Sequence, residues 1–228
     1  MSDQSTWRKV VRAAALAAAI EETVQEASSQ AATTGLPEWS ENGIPFNYRW
    51  EHLQAVVRLA VRLADLTGAD RAVVEAAAWL HDVVKGRSED HARDGAIAAR
   101  RILAETDFPP GKIDAVADAI AKHRGLWLAE PVEPLEAAVL WDADKLSKLG
   151  TTAVLHFVGG LVTYGRGTTA QILEELPGDD WIKPDWQQDT VSSFHTAPAR
   201  AAGRKRWEAF RDFCQRALQE FDGDDLIP

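Results

Sequence analysis

The sequence predicts an all-α, single-domain helical bundle. Apolar residues recur at helical spacing through most of the chain, and no stretch shows a convincing period-2 strand pattern. At 228 residues, 46% hydrophobic and 26% charged, the chain suits one sizeable core and is not a disordered segment.

Trp7 to Ser28 reads as an amphipathic helix. Lys9 to Ile20 is Ala-rich after basic residues and imitates a secretory signal, but Arg12 interrupts it and Glu21, Glu22 and Glu26 follow at helical spacing. Ser29 to Asn47 carries Gly, Pro, Ser and Asn and reads as a loop. Residues 1–46 are thus expected to be a helix and loop packing on a core formed by residues 47–228. Trp50 to Leu66 puts Leu53, Val56, Val57, Ala60, Val61, Leu63 and Ala64 on one wide face. Gly68-Ala69-Asp70 supplies a stop and an N-cap for a strongly apolar helix from Arg71 to Val84. Asp90 caps a helix to Glu105, which Asp107-Phe108-Pro109-Pro110 ends, and Lys112 to Arg124 and Glu133 to Leu149 are the next two helices. Thr151 to Thr163 is helical, loosened by Gly159-Gly160. Pro177 to Pro198 reads as a long loop bearing Trp181 and Trp186. Arg204 to Phe221 closes the chain as an amphipathic helix with Trp207, Phe210, Cys214 and Leu218 as its stripe.

Composition narrows the function. With 25 Lys+Arg against 35 Asp+Glu, the formal net charge is −10, and no basic block exists to displace counterions from a nucleic-acid polymer. One cysteine excludes an intrachain disulfide and a Cys-rich metal site. No apolar stretch approaches the roughly 18 residues of a membrane span. A soluble, cytoplasmic protein without a membrane partner is expected. Any metal must be held by histidines and carboxylates.

The six histidines then become informative. His52 opens one predicted helix, His81-Asp82 ends the next, His91 opens the third and His123 closes the fourth; Asp142 and Asp144 sit mid-helix in LWDADKLSKLG. Acids and imidazoles that interrupt apolar stretches need partners, because an unpaired buried charge is costly. Consecutive helix residues point about 100° apart, so His81 and Asp82 reach one ion only near a helix end. Imidazole with carboxylate suits Zn, Mn, Fe, Ni or Co. A helix cap or a buried hydrogen-bonded pair is the alternative use of such a dipeptide.

The order His…His-Asp…His…His…Asp, over residues 47–150, resembles the HD-domain superfamily of metal-dependent phosphohydrolases. Phe194 to Glu220 is similar to the C-terminal helix of small bacterial members. The resemblance implies a compact bundle with one or two divalent metal ions (Mn, Fe, Ni, Co, Zn or Mg) at its centre. It assigns His52, His81, Asp82 and one acid of LWDADKL to the first ion. The family's Ala-Asp-x-Leu pattern points to Asp144, with Asp142 as runner-up. The two acids are about 200° apart on a helix and do not both face one ion. Asp142 would then orient a ligand histidine or pair a lysine. His91 and His123 resemble the extra histidines of two-metal members, with Asp82 bridging, or else they contact phosphate in a one-metal enzyme.

Lys85, one turn after Asp82, resembles the His-Asp-x-x-Lys element whose lysine contacts substrate. Asp82 and Lys85 are therefore the expected catalytic residues. Lys148 shares a helix face with Asp144, and Lys85, Lys148, Arg49 and Arg124 are the expected substrate contacts, with Arg87 and Lys145 as further cations. His156, His195 and Cys214 fall outside the pattern. Trp127, Trp181 and Trp186 lie in predicted loops as candidates to rim a base or sugar pocket. The expected reaction is hydrolysis of a small phosphoester, a nucleotide foremost, by metal-activated water. Two alternatives share the resemblance: an HD-fold di-iron oxygenase and a non-catalytic nucleotide sensor. The expected partner is a small phosphorylated molecule, and self-association into a homo-oligomer stays open.

Overall fold

The computed structural model describes residues 6–34, 46–127, 130–163, 168–175 and 184–226, and the regular structure in these residues is helical throughout. The α-helices are α1 (Thr6–Thr34), α2 (Tyr48–Thr67), α3 (Arg71–Leu80), α4 (His91–Ala104), α5 (Ile113–Lys122), α6 (Leu135–Ser147), α7 (Thr151–Thr163), α8 (Thr169–Glu175), α9 (Pro184–Ser193) and α10 (Ala197–Asp222). Short 3-10 turns occupy Lys85–Arg87 and Pro110–Lys112. Among the described residues no helix is long and apolar enough to cross a membrane.

Local chemistry sets the helix ends. Asn47 caps α2 by accepting the Trp50 N–H, and Gly68 ends it in the left-handed region at φ 81°, where a side chain would be strained. Asp70 accepts from the Ala72 and Val73 N–H groups to start α3. Asp107, from the loop after α4, accepts the Thr6 and Trp7 N–H groups at the start of α1.

α6 is buried on every side from Ala137 to Ser147, as expected of a helix at the centre of a core. α2, α3, α5 and α10 pack on it, α4 packs on α5, and α1 lies across α2 and α3. Trp141, Leu80, Leu103, Ile120 and Leu140 are the largest wholly buried side chains of this core, and Trp7 of α1 reaches it through an edge contact with Phe108. A smaller apolar cluster of Val154, Leu173 and Phe210 joins α7, α8 and α10.

Four departures from expectation exceed two residues. α1 continues past Ser28 to Thr34. α3 stops at Leu80, because Val83 donates back to the Leu80 carbonyl and tightens the chain into a turn. The segment read as a loop over 177–198 contains α9, whose polar PDWQQDTVSS lacks an apolar stripe but begins with Pro, which suits a first helical position. α10 begins at Ala197 rather than Arg204, capped by Thr196 with Pro198 in its first turn. Gly159 leaves α7 intact. It admits the Phe46 ring, whose carbons lie 2.9 Å from where a Cβ would stand. Residues 177–183, including Trp181, and the Trp186 side chain lie outside the described residues.

Candidate metal centre

Helix ends bring the polar residues together. His81 is the C-cap of α3, His123 the C-cap of α5 and His91 the first residue of α4; His52 lies in the second turn of α2 and Asp144 in α6. Because α3 has ended, Asp82 follows His81 in a turn, and both side chains face the same space.

Six side chains converge there as two triads. His52, His81 and Asp144 each offer a ligand atom within 4.8 Å of the others, and so do Asp82, His91 and His123. The Asp82 carboxylate stands between them. Its Oδ2 lies 3.5 Å from His81 Nε2 and 4.0 Å from His52 Nε2. Its Oδ1 lies 3.8 Å from His91 Nε2 and 3.6 Å from His123 Nε2. Asp144 Oδ1 is 3.3 Å from His52 Nε2. Gly95 allows α4 to come this close, since a Cβ there would stand 3.3 Å from the His81 carbonyl oxygen.

The imidazoles are aimed. His81 Nδ1 lies 2.8 Å from the Ala78 carbonyl, and His123 Nδ1 lies 2.6 Å from the Ile120 carbonyl. A carbonyl only accepts, so both Nδ1 atoms carry the proton and both Nε2 lone pairs face the centre. His52 Nδ1 meets Ser147 Oγ at 3.1 Å. Burial lowers the pKa of His52 to about 4 and that of His81 to about 3, which keeps both imidazoles neutral and able to ligate. Burial opposes the charge on Asp82, but the Lys85 ammonium beside it helps hold the carboxyl well below its usual range. Burial likewise opposes the charge on Asp144, and Lys145 and Lys148 outweigh it.

Whether the residues fit a metal can be tested on their unmet bonds. His52 Nε2, His81 Nε2 and Asp82 Oδ1 are buried with no hydrogen-bond partner. Buried polar atoms are rarely left so, and these three point into one space lined by imidazole and carboxylate. A divalent ion satisfies lone pairs of this kind, and the donor set fits one.

Cations ring the site. Lys85 Nζ is 2.8 Å from Asp82 Oδ2. Lys148 Nζ is 2.6 Å from Asp144 Oδ1, and burial lowers its pKa to about 8. Lys145 is buried and donates both to Asp144 and to the His123 carbonyl. Arg49 is held by Glu22 at 3.0 Å and Glu26 at 2.8 Å. Arg124 is exposed and stands outside the two triads, with Asp90 as its ion partner at 3.8 Å. Arg87 pairs with Glu21.

Asp142 does not join the triads, and it neither orients a ligand histidine nor pairs a lysine. Its carboxylate accepts the backbone N–H groups of His195 at 2.9 Å and Thr196 at 2.8 Å, just before α10, which ties α10 to α6. His195 packs against Trp141, and His156 against Phe46 and Tyr48. Trp127 is half exposed, and Cys214 lies in the small apolar cluster.

Sequence reasoning missed α1 as part of the site. Glu21, Glu22 and Gln25 line a cavity together with Asp82, Lys85, Gly86 and Arg87. Glu22 is nearly buried, and burial raises its pKa against the pull of Arg49. The acids at helical spacing after Ile20 were the available signal.

The HD domain family model matches residues 49–149, the span that carries every residue of the two triads. Over 117 residues the chain is 37% identical to a bifunctional uridylyltransferase/uridylyl-removing enzyme of Bradyrhizobium diazoefficiens, and over 116 residues 45% identical to one of Rhodopseudomonas palustris. Each match covers 46% of this chain and 12% of those much longer relatives. Among solved structures, a predicted HD superfamily hydrolase from an uncultured Thermotogales bacterium aligns at TM-score 0.55 and 22% identity, covering 89% of this chain and 91% of that one. Bacillus subtilis YpgQ in complex with ADP aligns at TM-score 0.56 and 21% identity, covering 75% and 87%. These two likenesses concern the fold. The sequence match and the paired triads coincide: residues 49–149 match the HD domain, and that same span carries both triads.

Proposed function

We propose that this chain is a metal-dependent phosphohydrolase acting on a small phosphoester, a nucleotide foremost. The observation that carries the reading is the division of the Asp82 carboxylate between two triads, with an ammonium at hydrogen-bonding distance. In this reading His52, His81, Asp82 and Asp144 hold one divalent ion, and Asp82, His91 and His123 hold a second. Bound there, a divalent ion supplies Lewis acidity, lowering the pKa of its water and polarising a phosphoryl oxygen.

The chain's own groups do the remaining work. Lys85 neutralises charge that develops on the phosphoryl oxygens, and its partial burial strengthens that effect. Lys148 adds a second cation on the Asp144 side. Arg49, fixed by Glu22 and Glu26, holds α1 over the cavity. The ADP held by YpgQ and the uridylyl-removing name of the curated relatives support a phosphorylated, nucleotide-type substrate.

Metal analysis of the purified protein, followed by a screen of nucleotides and other phosphoesters with Mn, Co, Ni, Mg and Fe, tests the proposal. Bound transition metal and metal-dependent phosphate release are expected. Turnover of no phosphoester with any metal overturns it, and oxygen uptake by an iron-loaded preparation would then favour the oxygenase reading.

A further inference from the structure

We infer that Ser147 is a positioning residue that fixes His52 in the one tautomer able to ligate a metal. The inference rests on the metal-centre reading above and concerns a residue that holds no ligand atom of either triad.

The three buried histidines solve one problem in two ways. His81 and His123 cap the ends of α3 and α5, where the last carbonyls lose their i+4 donors and keep a lone pair to offer. Each therefore gives its Nδ1 proton to the carbonyl three residues back, Ala78 or Ile120. His52 has no such outlet. It lies inside α2, whose carbonyls are occupied by the helix, so its Nδ1 must find an acceptor on another element. Ser147 of α6, 95 residues away in sequence, places Oγ at 3.1 Å.

A hydroxyl has one proton to give. Ser147 Oγ lies 2.6 Å from the Asp144 carbonyl oxygen, and a carbonyl cannot donate, so the Ser147 proton lies on that line. The hydroxyl is left as an acceptor toward His52. Nδ1 then carries the imidazole proton, and the Nε2 lone pair faces Asp144 and Asp82. Ser147 is buried, so no bulk water offers an easy replacement. The same hydroxyl also grips the backbone of Asp144, which places two members of one triad under a single side chain.

The reverse arrangement is chemically distinct. If Ser147 donated to Nδ1, Oγ and the Asp144 carbonyl oxygen would face each other at 2.6 Å with no proton between them. His52 Nε2 would then be protonated and unable to ligate.

Two measurements test this. The first is the nitrogen-15 NMR spectrum of His52 in metal-free protein, which reports which ring nitrogen carries the proton. Nδ1 protonation is expected in the wild type and a shift toward Nε2 protonation in Ser147→Ala. The second is Mn2+ affinity. Ser147→Ala should bind about 10–100-fold more weakly, as second-sphere partners of ligand histidines generally require. Ser147→Thr, which keeps the hydroxyl, should bind nearly as the wild type does. A wild-type His52 protonated at Nε2, or unchanged Mn2+ affinity in Ser147→Ala, overturns the inference. If Ser147→Ala fails to fold, the wild-type spectrum and the Thr variant still decide. A wild type that takes up no Mn2+ would instead sink the metal-centre reading, and the spectrum would judge the tautomer separately.

Discussion

Acidifying the metal-free protein should destabilise it, because the fold holds His52 and His81 neutral. Burial lowers their pKa values to about 4 and about 3, whereas each titrates near 6.5 in the unfolded chain. Their stabilising effect is complete above about pH 6.5 and is lost as the pH falls toward 4, since the unfolded chain takes up two protons that the fold refuses. Each such proton costs somewhat over 1 kcal/mol of stability per pH unit. Asp142 works in the other direction. Burial raises its pKa from 3.8 to about 6, so over that interval the folded state takes up a proton first and offsets one histidine. His91, His156 and His195, all lowered by burial, add to the loss, and Glu22, raised by burial, opposes it. For the two histidines and Asp142 alone, the balance is about 1.4 kcal/mol per pH unit, or about 2 kcal/mol between about pH 6 and 4.5. Asp82 and Asp144 enter only at lower pH, because both are held well below the usual range. Urea unfolding of chelator-treated protein at several pH values, followed by tryptophan fluorescence and far-UV circular dichroism, measures the slope. His81→Gln removes one of these proton uptakes and should make that slope shallower by about 1.4 kcal/mol per pH unit. Stability that is flat or rises on acidification, or a His81→Gln slope equal to the wild type, would refute the reasoning.

Three further outcomes follow from the same geometry. Asp82→Ala should lose both ions and His91→Ala only one, as read by metal stoichiometry after loading with Mn2+. Lys85→Met should keep its metal but lose about 10²–10³-fold in kcat on whichever phosphoester is turned over, the usual effect of removing one charge-stabilising donor; loss of metal instead would reassign Lys85 to holding Asp82. Gly203→Ala should cost about 1–3 kcal/mol in thermal or urea unfolding, because overpacking a filled core forces side chains to move. A Cβ there would collide with the ring of the buried Phe194.

The sequence made the helices and the metal-type residues legible to different depths. His81 and His123 could be placed near helix ends because Gly86 and Gly125 follow and because adjacent His and Asp have no other way to share a centre. The choice of Asp144 over Asp142 could be narrowed by the helical angle between them, but the angle does not say which one faces inward. Packing decides that, since Asp142 turns to the backbone ahead of α10. Ser147 and Glu22 were not legible as site residues. Each acts across a long sequence separation, Ser147 on His52 and Glu22 beside Lys85, and no local pattern encodes such a meeting. α9 was missed because its polar sequence carries no apolar periodicity.

The lysines around the triads have a consequence for how a substrate arrives. Asp82 and Asp144 face three ammonium groups, on Lys85, Lys145 and Lys148, so these side chains alone carry a surplus positive charge. They lie inside a chain whose formal net charge is −10. A phosphorylated molecule therefore meets repulsion at long range and attraction only near the mouth of the cavity. Dissolved salt acts unequally on the two fields. It weakens the outer one beyond a Debye length of about 8 Å at physiological ionic strength, whereas the enclosed one is screened much less. Moderate salt should thus quicken encounter with an anionic ligand, the opposite of what an attractive surface field would give.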